Sequence, residues 1–276
     1  MSILRRWLKW GQKPYLMILL IPLLGLGIGG GSLLALYGDG NAAADTTWNH
    51  IRTYKTLVVG IDPNFPPFGI YDEARPMGID ADLALAIGDE LGVEIQFVLL
   101  SYDGIFDSLY LGQVDIVISA LRPDYAQVDR FRYTRPYFDA GYVFVGLEGT
   151  RLPSGFDNLD GQTLAVEYAT EGDVTAFETL EEGDVQFELE RLLSTDEALQ
   201  AVIDGNADYA LVDSVSAYLF QRDYPQLKIA TRAEIPDPYV IAVRRPNWQL
   251  FLALDNALKN LQEHGILEAI AAQWLR

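Results

Sequence analysis

Short unbroken apolar runs alternate with helically spaced apolar positions from residue 57 onward, and the alternation predicts α/β structure. Leu57–Ile61 is a β-branched run closed by Asp62-Pro63, a strand feeding a loop. Consecutive prolines in Asn64-Phe65-Pro66-Pro67-Phe68 remove backbone donors, so no regular structure is expected there. Asp80 reads as a helix N-cap. Leu83, Ala84, Ile87 and Leu91 share one helical face, and Gly92 stops the helix. Strands over 93–100 and 115–119 flank a helix over 103–111. The order β-α-β-α-β predicts a parallel sheet with helices on both faces.

The pattern then restarts. Tyr142–Gly146 is apolar and unbroken, and the polar, Gly- and Pro-containing stretch Glu148–Gly155 marks a boundary. Strands are expected over 163–166, 185–189, 209–212 and 227–230, and helices over 173–180, 195–204 and 214–221. Pro236 and Pro238 break the pattern before a strand at 239–243, and Trp248–Leu275 is amphipathic helix interrupted at Gly265. Its apolar face needs a partner, for which the first lobe is the natural candidate. The expected division is residues 48–141 with 244–276 as one lobe, 147–236 as the other, and 142–146 and 239–243 as hinge strands.

Four positions recur at identical spacing: Ser101, Asp103, Gly112 and Asp115 return as Ser194, Asp196, Gly205 and Asp208. In both copies an Asp leads into a buried strand after a Gly-terminated helix. A repeated unit points to two similar lobes, with the function in the cleft between them.

Composition narrows the chemistry. The formal charge of −19 argues against nucleic acid, which requires cationic surface, and no nucleic-acid partner is expected. Arg5, Arg6, Lys9 and Lys13 precede the apolar stretch Tyr15–Tyr37, so residues 1–44 read as an export segment. Ala42-Ala43-Ala44 fits a cleavage site with Asp45 as the first mature residue, while the length of the stretch equally fits an uncleaved anchor. The chain has no Cys and only His50 and His264, which excludes a thiol nucleophile and disfavours a histidine metal site or a Ser-His-Asp triad. No catalytic group, metal or cofactor is expected.

The segments LVVGIDPNFPPFGI, MGIDADLALAIGDELG, DGIFDSLYLGQVDIVISAL, YTRPYF, DYALVD and the terminal LEAIAAQWL resemble the family 3 extracellular solute-binding proteins, the polar amino-acid receptors of ABC importers. The resemblance implies the two-lobe periplasmic-binding-protein fold with a two-strand hinge and ligand enclosed by hinge closure. It implies that Phe65 and Tyr102 sandwich the ligand's side chain and that Ser119 and Ala120 offer backbone groups at a strand end. Asp213 matches the carboxylate that holds a ligand's α-ammonium, although its position serves equally as an N-cap for the following helix. Thr170 matches a hydroxyl at a helix start in the second lobe.

Two departures matter. The family's carboxylate-clamping Arg falls at Gln127 here, and Arg122 stands where a Ser or Thr is usual. Either Arg122 supplies the clamp or the cleft does not take an ordinary α-amino acid; Arg130 is a further candidate. Glu167, Glu171 and Asp62 are acidic near the expected site, favouring a cationic side chain or simply standing solvated.

The expected function is an extracytoplasmic, monomeric binding protein that delivers a small polar solute, most plausibly an amino acid, to a membrane permease. The alternatives are a periplasmic enzyme on the same scaffold, resembling arogenate or prephenate dehydratases with Glu171 as acid or base, and a ligand-sensing subunit.

Overall fold

The computed structural model describes residues 45–72 and 75–275. The expected export segment at 1–44 lies outside the described residues. Among the described residues no helix is long and apolar enough to cross a membrane.

The chain begins with α1 (Thr46–Tyr54), β1 (Thr56–Ile61), the short strands β2 (Asn64–Phe65), β3 (Gly69–Asp72) and β4 (Arg75–Met77), then α2 (Ile79–Leu91) and β5 (Glu94–Leu99). It continues with α3 (Ile105–Tyr110), β6 (Ile116–Leu121), β7 (Phe131–Tyr133), β8 (Phe138–Asp139) and β9 (Tyr142–Leu147). Next come β10 (Thr163–Glu167), α4 (Glu171–Glu182), β11 (Glu188–Leu192), α5 (Thr195–Asp204), β12 (Tyr209–Asp213), α6 (Ser214–Gln221) and β13 (Leu227–Ile229). The last elements are β14 (Pro238–Arg244), α7 (Trp248–Glu263) and α8 (Ile266–Leu275).

Two mixed sheets form the two lobes. The first runs β5-β1-β6-β14-β7 with β8 also paired to β14, and the second runs β11-β10-β12-β9-β13. The expectation of parallel sheets holds only for the first three strands of each. β14 and β9 join their sheets antiparallel, because each belongs to a segment arriving from the other lobe. Residues 142–146 and 239–243, expected as hinge strands, thus lie inside the sheets as parts of β9 and β14. The chain passes between the sheets at the residues just before them.

Period-two alternation sends successive side chains to opposite faces, and both faces of both sheets are buried. Leu57, Val59, Ile116, Ile118, Ile241 and Val243 pack with α1, α2, α7 and α8. Their neighbours Val117, Leu121 and Ala242 pack with Ile105 and Leu109 of α3. In the second sheet Val143, Val145, Ala165, Ala210 and Val212 face α5 and α6. Phe144, Leu164, Val166 and Leu211 face α4. The apolar stripe Leu250, Leu254, Leu258 and Leu261 of α7 is buried in the first lobe.

Several local expectations change. Asp80 is not an N-cap: Gly78 holds that position, and Asp80 is buried in the first turn of α2 with its side chain turned to a tyrosine. Asn64-Phe65 does form a two-residue strand, because Pro66 and Pro67 lie in the turn that returns the chain to pair through Gly69 and Ile70, where the ladder asks no donor of them. The strand expected at 185–189 is β11, three residues later. Val185 and Phe187 bury in the core from a loop, so the apolar signal starts ahead of the ladder.

Candidate ligand-binding site

A cavity of about 270 Å³ opens at the carboxyl ends of β1 and β6 and is lined by Asp62, Asn64, Phe65, Tyr102, Ser119, Ala120, Arg122 and Tyr239. Strand ends converge there as they do in other open α/β sheets. Six of the residues singled out from sequence therefore meet in one place. A larger cavity, about 460 Å³, lies between α8 and α6 beside Tyr218 and Ala271, away from those strand ends.

Asp62 organises the floor. Its Oδ1 accepts from the backbone N–H of Asn64 at 3.0 Å and from Asn64 Nδ2 at 2.9 Å, and its Oδ2 accepts from the N–H of Tyr102 at 3.2 Å. Its own N–H donates to Ser119 Oγ at 3.0 Å. One buried carboxylate thus fixes the loop carrying Phe65 and the turn carrying Tyr102. Its oxygens are turned to protein amides, which weakens the reading of Asp62 as a partner for a cationic ligand. The rings of Phe65 and Tyr102 are about half exposed, at 49 % and 50 %. Phe65 stacks on Phe68 at 5.8 Å, and Phe68 meets Tyr239 edge-on at 5.1 Å, so the cavity's aromatic wall is braced from behind.

Ala120 has φ 43°, a left-handed conformation uncommon for a residue with a Cβ. Its N–H donates to the Tyr137 hydroxyl at 3.0 Å, and that hydroxyl donates to Asp80 Oδ1 at 2.5 Å. Burial pushes the Asp80 carboxyl up to about 7, against the lowering effect of the Tyr137 hydrogen bond. Burial also raises Tyr137, with Asp80 adding to it. The strained strand end is thereby anchored to the first turn of α2.

Arg122 projects from just beyond β6. Its Nε donates to Asp237 Oδ1 at 2.6 Å and its Nη2 to Asp237 Oδ2 at 2.5 Å, and the guanidinium lies 5.8 Å from the Tyr239 ring centroid. The hydrogen bond to Asp237 raises the guanidinium further above its ordinary pKa. Burial pushes the Tyr239 hydroxyl up to about 12 despite Arg122 nearby. Gln127 lies elsewhere: its Nε2 donates to Asp124 at 2.6 Å and its Oε1 accepts from Arg130 Nη1 at 3.2 Å. Arg130 stacks on Tyr110 at 4.1 Å, and neither residue lines the cavity.

The second lobe's candidates stand apart from this cavity. Thr170 N-caps α4, accepting from Asp173 N–H at 3.3 Å, and donates to the Glu167 carbonyl at 2.8 Å. The Glu167 side chain accepts from Thr195 at 2.5 Å, and Glu171 is exposed in the first turn of α4. Asp213 caps α6, its Oδ1 accepting from Ser216 N–H at 2.8 Å. Burial raises the Tyr142 hydroxyl, with Thr170 opposing as a hydrogen-bond partner and Asp213 adding charge, so these three groups share one neighbourhood. Among the described residues no group of three His, Cys, Asp or Glu side chains is placed to hold a metal ion. Sequence reading missed Asn64, Tyr137, Tyr239 and Asp237. Tyr239 carried a signal, as an aromatic beside the Pro-flanked crossing, but its side of the sheet was not readable.

The model of the bacterial extracellular solute-binding proteins, family 3, matches residues 57–276. The chain belongs to that family. It is 26% identical over 232 residues to the L-cystine-binding protein TcyJ of Escherichia coli K12, covering 82% of this chain and 85% of that protein. It is 31% identical to the membrane-bound lytic murein transglycosylase F of Pectobacterium atrosepticum, across 77% of this chain but only 45% of that protein. The unliganded L-cystine solute receptor of Neisseria gonorrhoeae shares the fold, with a TM-score of 0.70 over 83% of this chain and 96% of that one at 20% identity. Family 3 membership thus brings both binding proteins and an enzyme-bearing relative into view.

Proposed function

We propose that this family 3 protein captures an amino acid between its two lobes on the extracytoplasmic side and hands it to an ABC permease. One observation carries the reading: a single first-lobe cavity brings together two half-exposed aromatic rings, a strand-end backbone in left-handed conformation and a guanidinium. Aromatic faces take the ligand's side chain, Arg122 takes its carboxylate, and no acid–base pair is needed. Asp213 and the N-terminus of α4, with Thr170, supply the opposing wall. The ammonium meets Asp213 when the lobes rotate together about the two crossings. The amino-acid class draws support from the cystine-binding relative.

The enzymatic alternative has less behind it. Glu171 is exposed on α4, open to solvent, whereas a general acid or base has to be held against its substrate within a site.

The test is a thermal-shift and scattering series with L-cystine, L-histidine, L-arginine and L-glutamine. A cognate amino acid should raise the melting temperature, because it binds only the folded state, and should reduce the radius of gyration. A ligand of proven affinity that leaves the radius unchanged sinks the closure reading.

A further inference from the structure

Asp237 leaves part of the Arg122 guanidinium unused. It fills the side-on edge, taking Nε and one hydrogen of Nη2. An arginine carries five N–H donors in a fixed planar fork. The end-on edge, made of Nη1 and the second Nη2 hydrogen, therefore retains a bidentate geometry with no protein acceptor among the described residues. The side chain is still 64% exposed and lines the cavity. An exposed ion pair of this kind adds little to stability. It does hold one rotamer of a long side chain that would otherwise sample many.

Asp237 is itself held. Its N–H donates to Asp139 Oδ1 at 2.8 Å, and the same oxygen accepts from Gly141 N–H at 3.0 Å. Its carbonyl accepts from Ala140 N–H at 2.9 Å. At Gly141 a Cβ would stand 2.0 Å from the Ile235 carbonyl oxygen and 2.8 Å from Asp237 N, so only glycine permits this approach. Asp237 thus sits where the two crossings between the lobes touch.

We propose that Asp237 is a positioning residue: it grips Arg122 by one edge so that the other edge faces the carboxylate of a bound solute. This rests on the reading of Arg122 as the clamp for the solute's carboxylate and adds what sets the direction of that clamp. It also seats the clamp's support on the segment about which the lobes rotate.

Calorimetry on the full chain tests this, using the tightest-binding of L-cystine, L-histidine, L-arginine and L-glutamine together with its α-carboxamide. Asp237→Asn should weaken binding of the amino acid about tenfold, because the Arg122 side chain then has rotamer freedom to lose on binding. It should leave the weaker binding of the carboxamide unchanged, and Asp237→Glu should restore most of the loss. Unchanged or tighter binding of the amino acid by Asp237→Asn overturns the proposal, the latter by showing that Asp237 competes with the ligand. Equal losses for both ligands overturn it too, as general distortion. Arg122→Ala reports separately: full affinity in that variant removes the clamp itself, and binding of none of the four amino acids removes the amino-acid reading along with the proposal.

Discussion

The two lobes are built on one frame and end it differently. In each, a central strand is flanked by two parallel partners in the same order, and an antiparallel strand from the other lobe follows (β5-β1-β6-β14 against β11-β10-β12-β9). The repeated aspartates do the same work. Val58 N–H donates to Asp115 Oδ2 at 3.0 Å while Asp115 N–H donates to the Val58 carbonyl at 2.9 Å. In the second lobe Thr163 N–H donates to Asp208 Oδ2 at 2.8 Å, and Asp208 N–H donates to the Thr163 carbonyl at 2.9 Å. Gly112 and Gly205 end their helices at φ 73° and 74°. Beyond the strands the likeness stops. β6 runs out through a left-handed Ala120 pinned to buried Tyr137 and Asp80, leaving Arg122 at the rim. β12 runs straight into a helix capped by Asp213. The frame is shared, and the charge at the strand end is not: Arg122 stands just beyond β6, and Asp213 closes β12.

The largest effect should come from the point of greatest divergence. Asp213→Asn keeps an oxygen to cap α6, so folding should survive, but it removes the charge proposed to meet an ammonium. Breaking a buried ion pair costs about 3–5 kcal/mol, so affinity measured by calorimetry should fall at least about a hundredfold. Retained affinity would leave Asp213 as a cap alone, and the lobes' difference there would be structural.

Next is the anchor peculiar to the first lobe. Tyr137→Phe strips the Ala120 N–H and the Asp80 carboxyl of their shared partner inside the core, and a buried polar group left unpaired costs about 1–3 kcal/mol. A clear drop in melting temperature is expected. The same anchor gives the lobe a pH dependence. Asp80 holds its proton to about pH 7 when folded, against the ordinary 3.8, so the folded state binds a proton that the unfolded chain releases. That contribution is complete below pH about 4 and is lost as pH rises through about 7. Asp80→Asn cannot titrate, so its urea midpoint should gain on the parent protein's between pH 5 and 8. Parallel pH profiles would contradict the burial argument.

The smallest test probes what the lobes share. Asp115 is partly buried beside Arg244 at 3.8 Å, whereas the bond of Asp208 lies at the surface. Asp115→Ala should cost about 2 kcal/mol and Asp208→Ala about 1 kcal/mol in chemical denaturation, within the range for unpaired backbone donors. A reversed order would mean that the equivalent contacts do unequal work for reasons other than burial.

Hydrophobic period and turn residues determined much of this protein from sequence alone. The unbroken apolar runs from Leu57 to Ile61 and from Tyr209 to Val212 marked strands buried on both faces, and Gly92 and Gly205 marked helix ends. The Ser-x-Asp…Gly…Asp spacing marked the repeated frame. Phe65, Tyr102, Ser119, Ala120 and Arg122 were legible as candidates through the resemblance to the family 3 proteins, which matches them position by position; strand ends alone would have marked only Ser119 and Ala120. Tertiary structure alone decided the partners. Nothing local in Asp80 distinguishes a helix cap from a buried acid, since both put Asp in a first turn; the Tyr137 hydroxyl, 57 residues away, makes the difference. Nothing local in Arg122 reveals Asp237, 115 residues on, because that contact exists only where the chain crosses back to the first lobe. Backbone preference acts over a few residues and is written in the sequence, whereas charge pairing is set by the long-range path of the chain.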